Sequence, residues 1–305
     1  LQLRRCSEAI TDFSRTLEVD TKNQLAYRYR GDCYCEVQRY DEALADLSHA
    51  IELDPTDAMV RRRRGFAFRK LHREEEALAD YSRAIELNEQ DAQAYTGRGL
   101  TYMQLNHHTA ALHDFTHTLD LAPDDEPARL NRAGVYANLG RFDEAIDDCQ
   151  QVLQANPYSA LAYLQLGHVY AQSDALFKAI MCFEQAAKFG LSEGALQVEL
   201  LKIQRGTELS EFYASRGALY RDGGEPEHAL ADLNEAIALD SANAIAYSNR
   251  GLVYMGLQQY VHALRDFNHA ITLNPAFANA YYNRGLLYSQ GGQHGAALAD
   301  FNCAV

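Results

Sequence analysis

Three groups of residues have types and spacings that could do chemistry. The first is four consecutive arginines, Arg61, Arg62, Arg63 and Arg64, in a chain of 305 residues with net charge −14. Such a run would serve a phosphate patch or a nuclear address. The second is His113 and His117, with His107 and His108 close by. An i, i+4 pair on a helix is a metal-ligand spacing. The third is cysteine: Cys33 and Cys35 lie two apart, and Cys6, Cys149, Cys182 and Cys303 are scattered.

Composition weakens each reading. Twenty-eight basic residues against 42 acidic ones do not make a general nucleic-acid or anionic-membrane binder, whose affinity comes largely from neutralised phosphates. Residues two apart on a helix point in different directions, so Cys33 and Cys35 make a poor metal pair. His117 shares its place in the pattern described below with His49 and His269, which marks a recurring polar position. The cysteine spacing gives no disulfide framework and there is no Asn-x-Ser/Thr sequon, which points to a reducing, cytosol-like compartment. No apolar run approaches the roughly 18–20 residues of a membrane span. No phosphate loop or nucleophile motif is present, so no catalytic residue, metal or cofactor is expected.

The elements that position these residues are set by repetition. Ala26-Tyr27-x-x-Arg30-Gly31-x-x-Tyr34 recurs at Ala94-Tyr95-x-x-Arg98-Gly99-x-x-Tyr102, a shift of 68, twice 34. It recurs again from Tyr247 to Tyr254 and from Tyr281 to Tyr288. A fixed period in this range means an array. Full units run 24–57, 58–91, 92–125, 126–159, 160–193, 210–243 and 244–277, with partial ones at 1–23 and 278–305. Each reads as two helices. Position 8 is small (Gly31, Gly65, Gly99, Ala133, Gly167, Gly217, Gly251, Gly285), position 11 is aromatic, position 20 is always Ala, and position 24 is usually large, as in Phe115, Phe183, Phe267 and Phe301. Pro55, Pro123, Pro157 and Pro275 stop the second helix.

This small-aromatic-Ala-Phe-Pro pattern resembles the tetratricopeptide repeat family, in about nine copies. The resemblance implies an all-α fold, an α-solenoid of stacked helix-turn-helix repeats in a right-handed superhelix, with first helices lining a concave groove that binds other proteins. The RNA-reading pentatricopeptide relatives have a 35-residue period and a basic groove, and this chain has neither. The expected organisation is repeats over 1–193, an inserted segment with a short extra helix over 194–209, and repeats over 210–305. In the insertion, Leu196, Leu200 and Ile203 have helical spacing and Gly206 is the expected stop. The chain opens at Leu1 on a second helix and closes at Val305 inside another, so it reads as a window on a longer polypeptide.

Position 7 is Arg30, Arg64, Arg98, Arg132, Arg216, Arg250 and Arg284, and position 23 is Asp46, Asp80, Asp114, Asp148, Asp232, Asp266 and Asp300. Unit 160–193 has Leu166 and Cys182 there, so both charges vanish together. That predicts an ion pair inside each unit, because a half-buried charge without its partner is costly. Arg64 is then a brace to Asp80, and Arg61, at a position usually held by Tyr, packs its stem against neighbouring helices.

Arg62, Arg63, Arg69 and Lys70, with Arg28 next door, are expected to form a basic end of the groove. Leu100, Met103, Leu252, Met255 and Tyr282 make the rest apolar, and Asn131, Asn249 and Asn283 form a broken ladder for a peptide backbone. The partner expected is a peptide segment or helix with an acidic end. The carboxylate clamp of co-chaperone members is absent: the nearest start has Arg28 and Asp32, then Arg63, then Gln93 and Gly97. Three readings of function stand: a non-enzymatic scaffold binding proteins through its groove and edges, the regulatory or substrate-recruiting arm of a larger enzyme, and a structural component of a filament or ciliary assembly.

Overall fold

The computed structural model describes residues 2–305, without the side chains of residues 2–4 and 203. Ile203, the third apolar residue counted in the insertion, therefore lies outside the described side chains, as does Leu1 altogether. Every regular element among the described residues is a helix: α1 (Gln2–Val19), α2 (Gln24–Glu36), α3 (Tyr40–Leu53), α4 (Ala58–Lys70), α5 (Glu74–Leu87), α6 (Ala92–Gln104), α7 (His108–Leu121), α8 (Glu126–Asn138), α9 (Phe142–Ala155), α10 (Ala160–Gln172), α11 (Leu176–Lys188), α12 (Ser192–Asp222), α13 (Pro226–Leu239), α14 (Ala244–Gly256), α15 (Tyr260–Leu273), α16 (Ala278–Gln290) and α17 (His294–Cys303). None of them is long and apolar enough to cross a membrane. The chain forms two compact units, Leu1–Leu191 and Ser192–Val305. In the first, α1 packs on α2 and five helical hairpins follow, with the first helices α2, α4, α6, α8 and α10 in register side by side. In the second, α12, α14 and α16 are the neighbouring first helices, each paired with the helix after it.

Local chemistry fixes each hairpin. Asn23, Asp57, Asp91, Asp125, Ser159 and Asn243 cap first helices by accepting from backbone N–H groups of the first turn, each cap contributing about 0.5–2 kcal/mol. The turn between the helices needs one left-handed residue. Gly140, Gly224 and Gly292 supply it without strain, whereas Gln38, His72, Asn106, Asp174 and Gln258 adopt φ of 55–61° in its place, at a cost of about 1–2 kcal/mol each.

The two helices touch where position 8 meets position 24. A Cβ on Gly167 would fall 2.4 Å from Phe183, and one on Gly251 2.6 Å from Phe267. Ala133 is the exception, and its opposite number is the small Cys149; both are fully buried. The volume lost on one helix is regained on the other.

The end of α11 departs from the rest. The second helices α3, α5, α13 and α15 end on an extended residue, Asp54, Asn88, Asp240 and Asn274. Here Gly190 takes φ +95°, and Leu191 N–H donates to Ala186 O at 3.0 Å, the closure that terminates a helix through a left-handed glycine. The helix of the inserted segment breaks at Arg205, one residue before the expected stop at Gly206, and a second helix continues from the kink. Helix α12 runs from Ser192 to Asp222 and leaves helical geometry only at Arg205 (φ −132°, ψ 35°). Past the kink the chain is fixed at once: Leu209 is fully buried and Ser210 Oγ donates to Ala236 O at 2.8 Å.

Candidate binding groove

The seven Asp side chains at position 23 are 1–7% exposed. Each is gripped by two nitrogens of the arginine in its own hairpin: Arg98 Nε and Nη2 donate to Asp114 at 2.8 Å each, and the six other braces span 2.6–2.9 Å. Bidentate charge-assisted pairs of this kind are the strong ones. The hydrogen bond to the aspartate holds Arg30, Arg98, Arg132, Arg250 and Arg284 above the ordinary guanidinium range. In hairpin 160–193, Leu166 and Cys182 pack in one apolar cluster with Ala133 and Cys149.

A third contact had a signal in the sequence that pattern reading missed. Arg30, Arg64 and Arg98 also donate through Nη1 to Ser14, Ser48 and Ser82 (3.0–3.2 Å), and Arg250 and Arg284 to Asn234 and Asn268 (2.7 and 2.6 Å). All five acceptors stand at position 25 of the preceding unit. The brace therefore joins three helices.

The arginine quartet is divided by its partners. Arg64 belongs to Asp80. Arg61 donates to Pro55 O at 3.2–3.3 Å and lies 3.8 Å from Asp80. Arg28, Arg62 and Arg63, expected at the basic end of the groove, each have a carboxylate neighbour. Arg62 Nε donates to Asp91 at 2.9 Å, with Nη1 on Gln93. Arg63 lies 3.2 Å from Asp32 and 3.9 Å from Glu36. Arg28 lies 3.4 Å from Asp57. These arginines stitch adjacent first helices, because each meets a carboxylate at the matching register of its neighbour. Arg69 and Lys70 are different: they sit over the Phe66 ring at 5.7 and 5.6 Å, and neither makes an ion pair among the described residues.

The expected apolar groove is also partly redrawn. Leu100 and Met103 pack against the cluster of Ala111, Phe115 and Val135. Leu252 and Met255 pack against Ala263, Phe267 and Leu287. They are half-buried and add to the core, since neighbouring helices cover them. Tyr282 remains 52% exposed, with its ring 5.8 Å from Phe301. Asn249 accepts from Arg221 at 3.1 Å, and Asn283 is half-buried. Asn131 lines a cleft of ≈470 Å³ between α8 and α10, together with Pro127, Leu130, Leu161, Leu164 and Gln165. Leu161 in it is 59% exposed.

The other chemical candidates have structural partners. His49, His117 and His269 lie on Tyr27, Tyr95 and Tyr247 of their own hairpins at 4.3–5.3 Å. His113 contacts His117 edge-on at 4.6 Å. Burial pushes the Cys35 and Cys149 thiols up to about 12 and Cys182 to about 11, so they are poor nucleophiles at neutral pH.

Models of the tetratricopeptide repeat match residues 24–57, 96–160, 244–277 and 267–299, and a model described as TPR repeat matches 67–106 and 217–258. Among solved structures, the chain is similar to the C-terminal part of a TPR repeat-containing protein from Cytophaga hutchinsonii (19% identity, 80% of this chain and 94% of that one, TM-score 0.56). It is similar to YrrB, a TPR protein with an unusual peptide-binding site (23%, 62% and 98%, TM-score 0.52). It also resembles a tetratricopeptide repeat protein from Parabacteroides merdae (18%, 90% and 98%, TM-score 0.50). No curated protein matches the sequence. The helical hairpins, their period and these matches agree: the chain belongs to the tetratricopeptide repeat family.

Proposed function

We propose that this chain is a non-enzymatic scaffold of the cytoplasm that holds extended segments of partner proteins against its first helices. The observation that carries the reading is the cleft between α8 and α10. Leu130, Leu161 and Leu164 line it beside the amides of Asn131 and Gln165. Apolar anchors with a few polar groups are what a peptide site needs: main-chain polar atoms meet the amides while side chains bury against leucine. YrrB, described as a TPR protein with an unusual peptide-binding site, takes the same ligand class. The acidic-end preference now rests on Arg69 and Lys70 alone, since Arg28, Arg62 and Arg63 are occupied.

Short peptides selected by phage display on the purified chain, then titrated calorimetrically, test this. Leu161→Asp should weaken them at least about tenfold, the order expected when a charge enters an apolar anchor site. Val261→Asp, on the second-helix side of the other unit and 81% exposed, should leave them unchanged. The reverse pattern would place recognition on the second helices and sink the groove reading.

A further inference from the structure

Tyr81 is the one position-24 residue in the hairpins with a hydroxyl; the others are Leu47, Phe115, Cys149, Phe183, Leu233, Phe267 and Phe301. Its side chain is 2% exposed and lies between two glycines. A Cβ on Gly65 would fall 3.3 Å from the ring. A Cβ on Gly97, on the next first helix α6, would fall 2.4 Å from the ring and 2.8 Å from the hydroxyl oxygen. Gly97 stands at position 6, where the other hairpins have Tyr29, Arg63, Asn131, Gln165, Ser215, Asn249 and Asn283. The only glycine at that position therefore follows the only tyrosine behind it. Together they open the groove face of α6 down to a phenol.

The opening is the floor of a pocket of ≈250 Å³ whose lining includes Arg62, Arg69, Tyr81, Gln93 and Leu100. Its charges can be counted. Arg62 and Arg63 are answered by Asp91 and Asp32. Arg69 has no carboxylate, and its buried Nε has no hydrogen-bond partner. A buried guanidinium N–H left unmade costs more than a bond gained. Burial raises the Tyr81 phenol above its ordinary range, with Arg69 the leading group opposing that rise. Asp125 also lines the pocket. One uncompensated cation facing a cavity matches one negative charge, and the Asp125 carboxylate repels a second.

We infer that this pocket receives the monoanionic carboxylate of one Glu or Asp side chain of a segment lying in the groove, with Arg69 and the Tyr81 hydroxyl as the donors. The inference rests on the groove reading above. It names a specificity pocket inside that groove, built by a glycine window that the carboxylate-clamp pattern does not contain.

The phage-selected peptides test it separately from the groove itself. Selection on the wild-type chain should enrich apolar residues and fix one acidic position. Replacing that acid by Gln in a synthetic peptide should weaken binding about tenfold, the loss of a hydrogen bond to a charged group. On Arg69→Met the Glu and Gln peptides should bind alike. Tyr81→Phe should reduce the Glu preference in part, with helicity and Tm of both variants checked first. Enriched peptides with apolar anchors but no fixed acid would overturn the pocket and leave the groove standing. Absence of any enriched peptide would overturn both. Tighter binding when phosphoserine replaces the acid would overturn the monoanion assignment.

Discussion

Replacing Arg98 by Leu is the most direct probe of the braces. Asp114 is 1% exposed and takes both of its close donors from Arg98 at 2.8 Å. Without Arg98 it keeps a buried charge, with the His113 ring nitrogen 3.6 Å away. Breaking a buried pair from one side costs about 3–5 kcal/mol. The contact of Arg98 to Ser82 at 3.2 Å adds about 0.5–1.5 kcal/mol. Asp114→Cys alone costs less, because Arg98 is 17% exposed and can turn its guanidinium to water. The double variant Arg98→Leu/Asp114→Cys reproduces the Leu166 and Cys182 arrangement that this chain already uses. It should lose only about 1 kcal/mol, since apolar replacement of a buried pair is often close to neutral. The coupling energy is then about 2–4 kcal/mol. Stacked hairpins need not unfold in one step, so amide hydrogen exchange in α6 and α7, which reads local opening free energy, is the measurement. Losses that simply add in the double variant would refute the pairing.

The turn geometry predicts that Gln258→Gly, at φ 58°, stabilises the second unit by about 1 kcal/mol, read as a rise in its urea midpoint; an unchanged or lower midpoint counts against strain there. Cys149→Phe should destabilise strongly because Ala133 faces it, and Ala133→Gly should restore most of the loss; thermal melts in which the second change fails to rescue would contradict the position 8 to position 24 complement. Iodoacetamide at mildly alkaline pH should label the exposed Cys303 quickly and Cys149, whose thiol burial raises to about 12, only in denaturant. Equal rates at the two sites would show that Cys149 is reached by solvent in the folded chain.

The period and the hairpins were open to sequence reading because the same positions recur with the same sizes. The braces were open because both charges are lost together at Leu166 and Cys182. The stitching arginines were not. Arg63 pairs with Asp32 of the preceding repeat, and Arg62 with Asp91 at the end of its own repeat, where that aspartate caps the next first helix; arginine stands at the first of these positions once and at the second only twice, in Arg28 and Arg62, too few copies for a pattern to stand out. The half-burial of Leu100 and Met255 was hidden for another reason: a first-helix position faces either a ligand or the next helix, and only packing decides. Two signals were present and unused. His49, His117 and His269 occur only in hairpins with Tyr27, Tyr95 and Tyr247, on which they lie. Gly97 occurs only behind Tyr81.

The third nitrogen of the braces gives the stack a direction. Arg30, Arg64, Arg98, Arg250 and Arg284 each reach back to a serine or asparagine of the hairpin before them. Removing a hairpin from the C-terminal side leaves the braces that remain with all their acceptors. Removing one from the N-terminal side strips an acceptor from the next guanidinium. A ribosome delivers the chain in the favourable order: every emerging arginine of this set finds its serine or asparagine already folded, so assembly can advance one hairpin at a time behind the exit tunnel without waiting for sequence still to come.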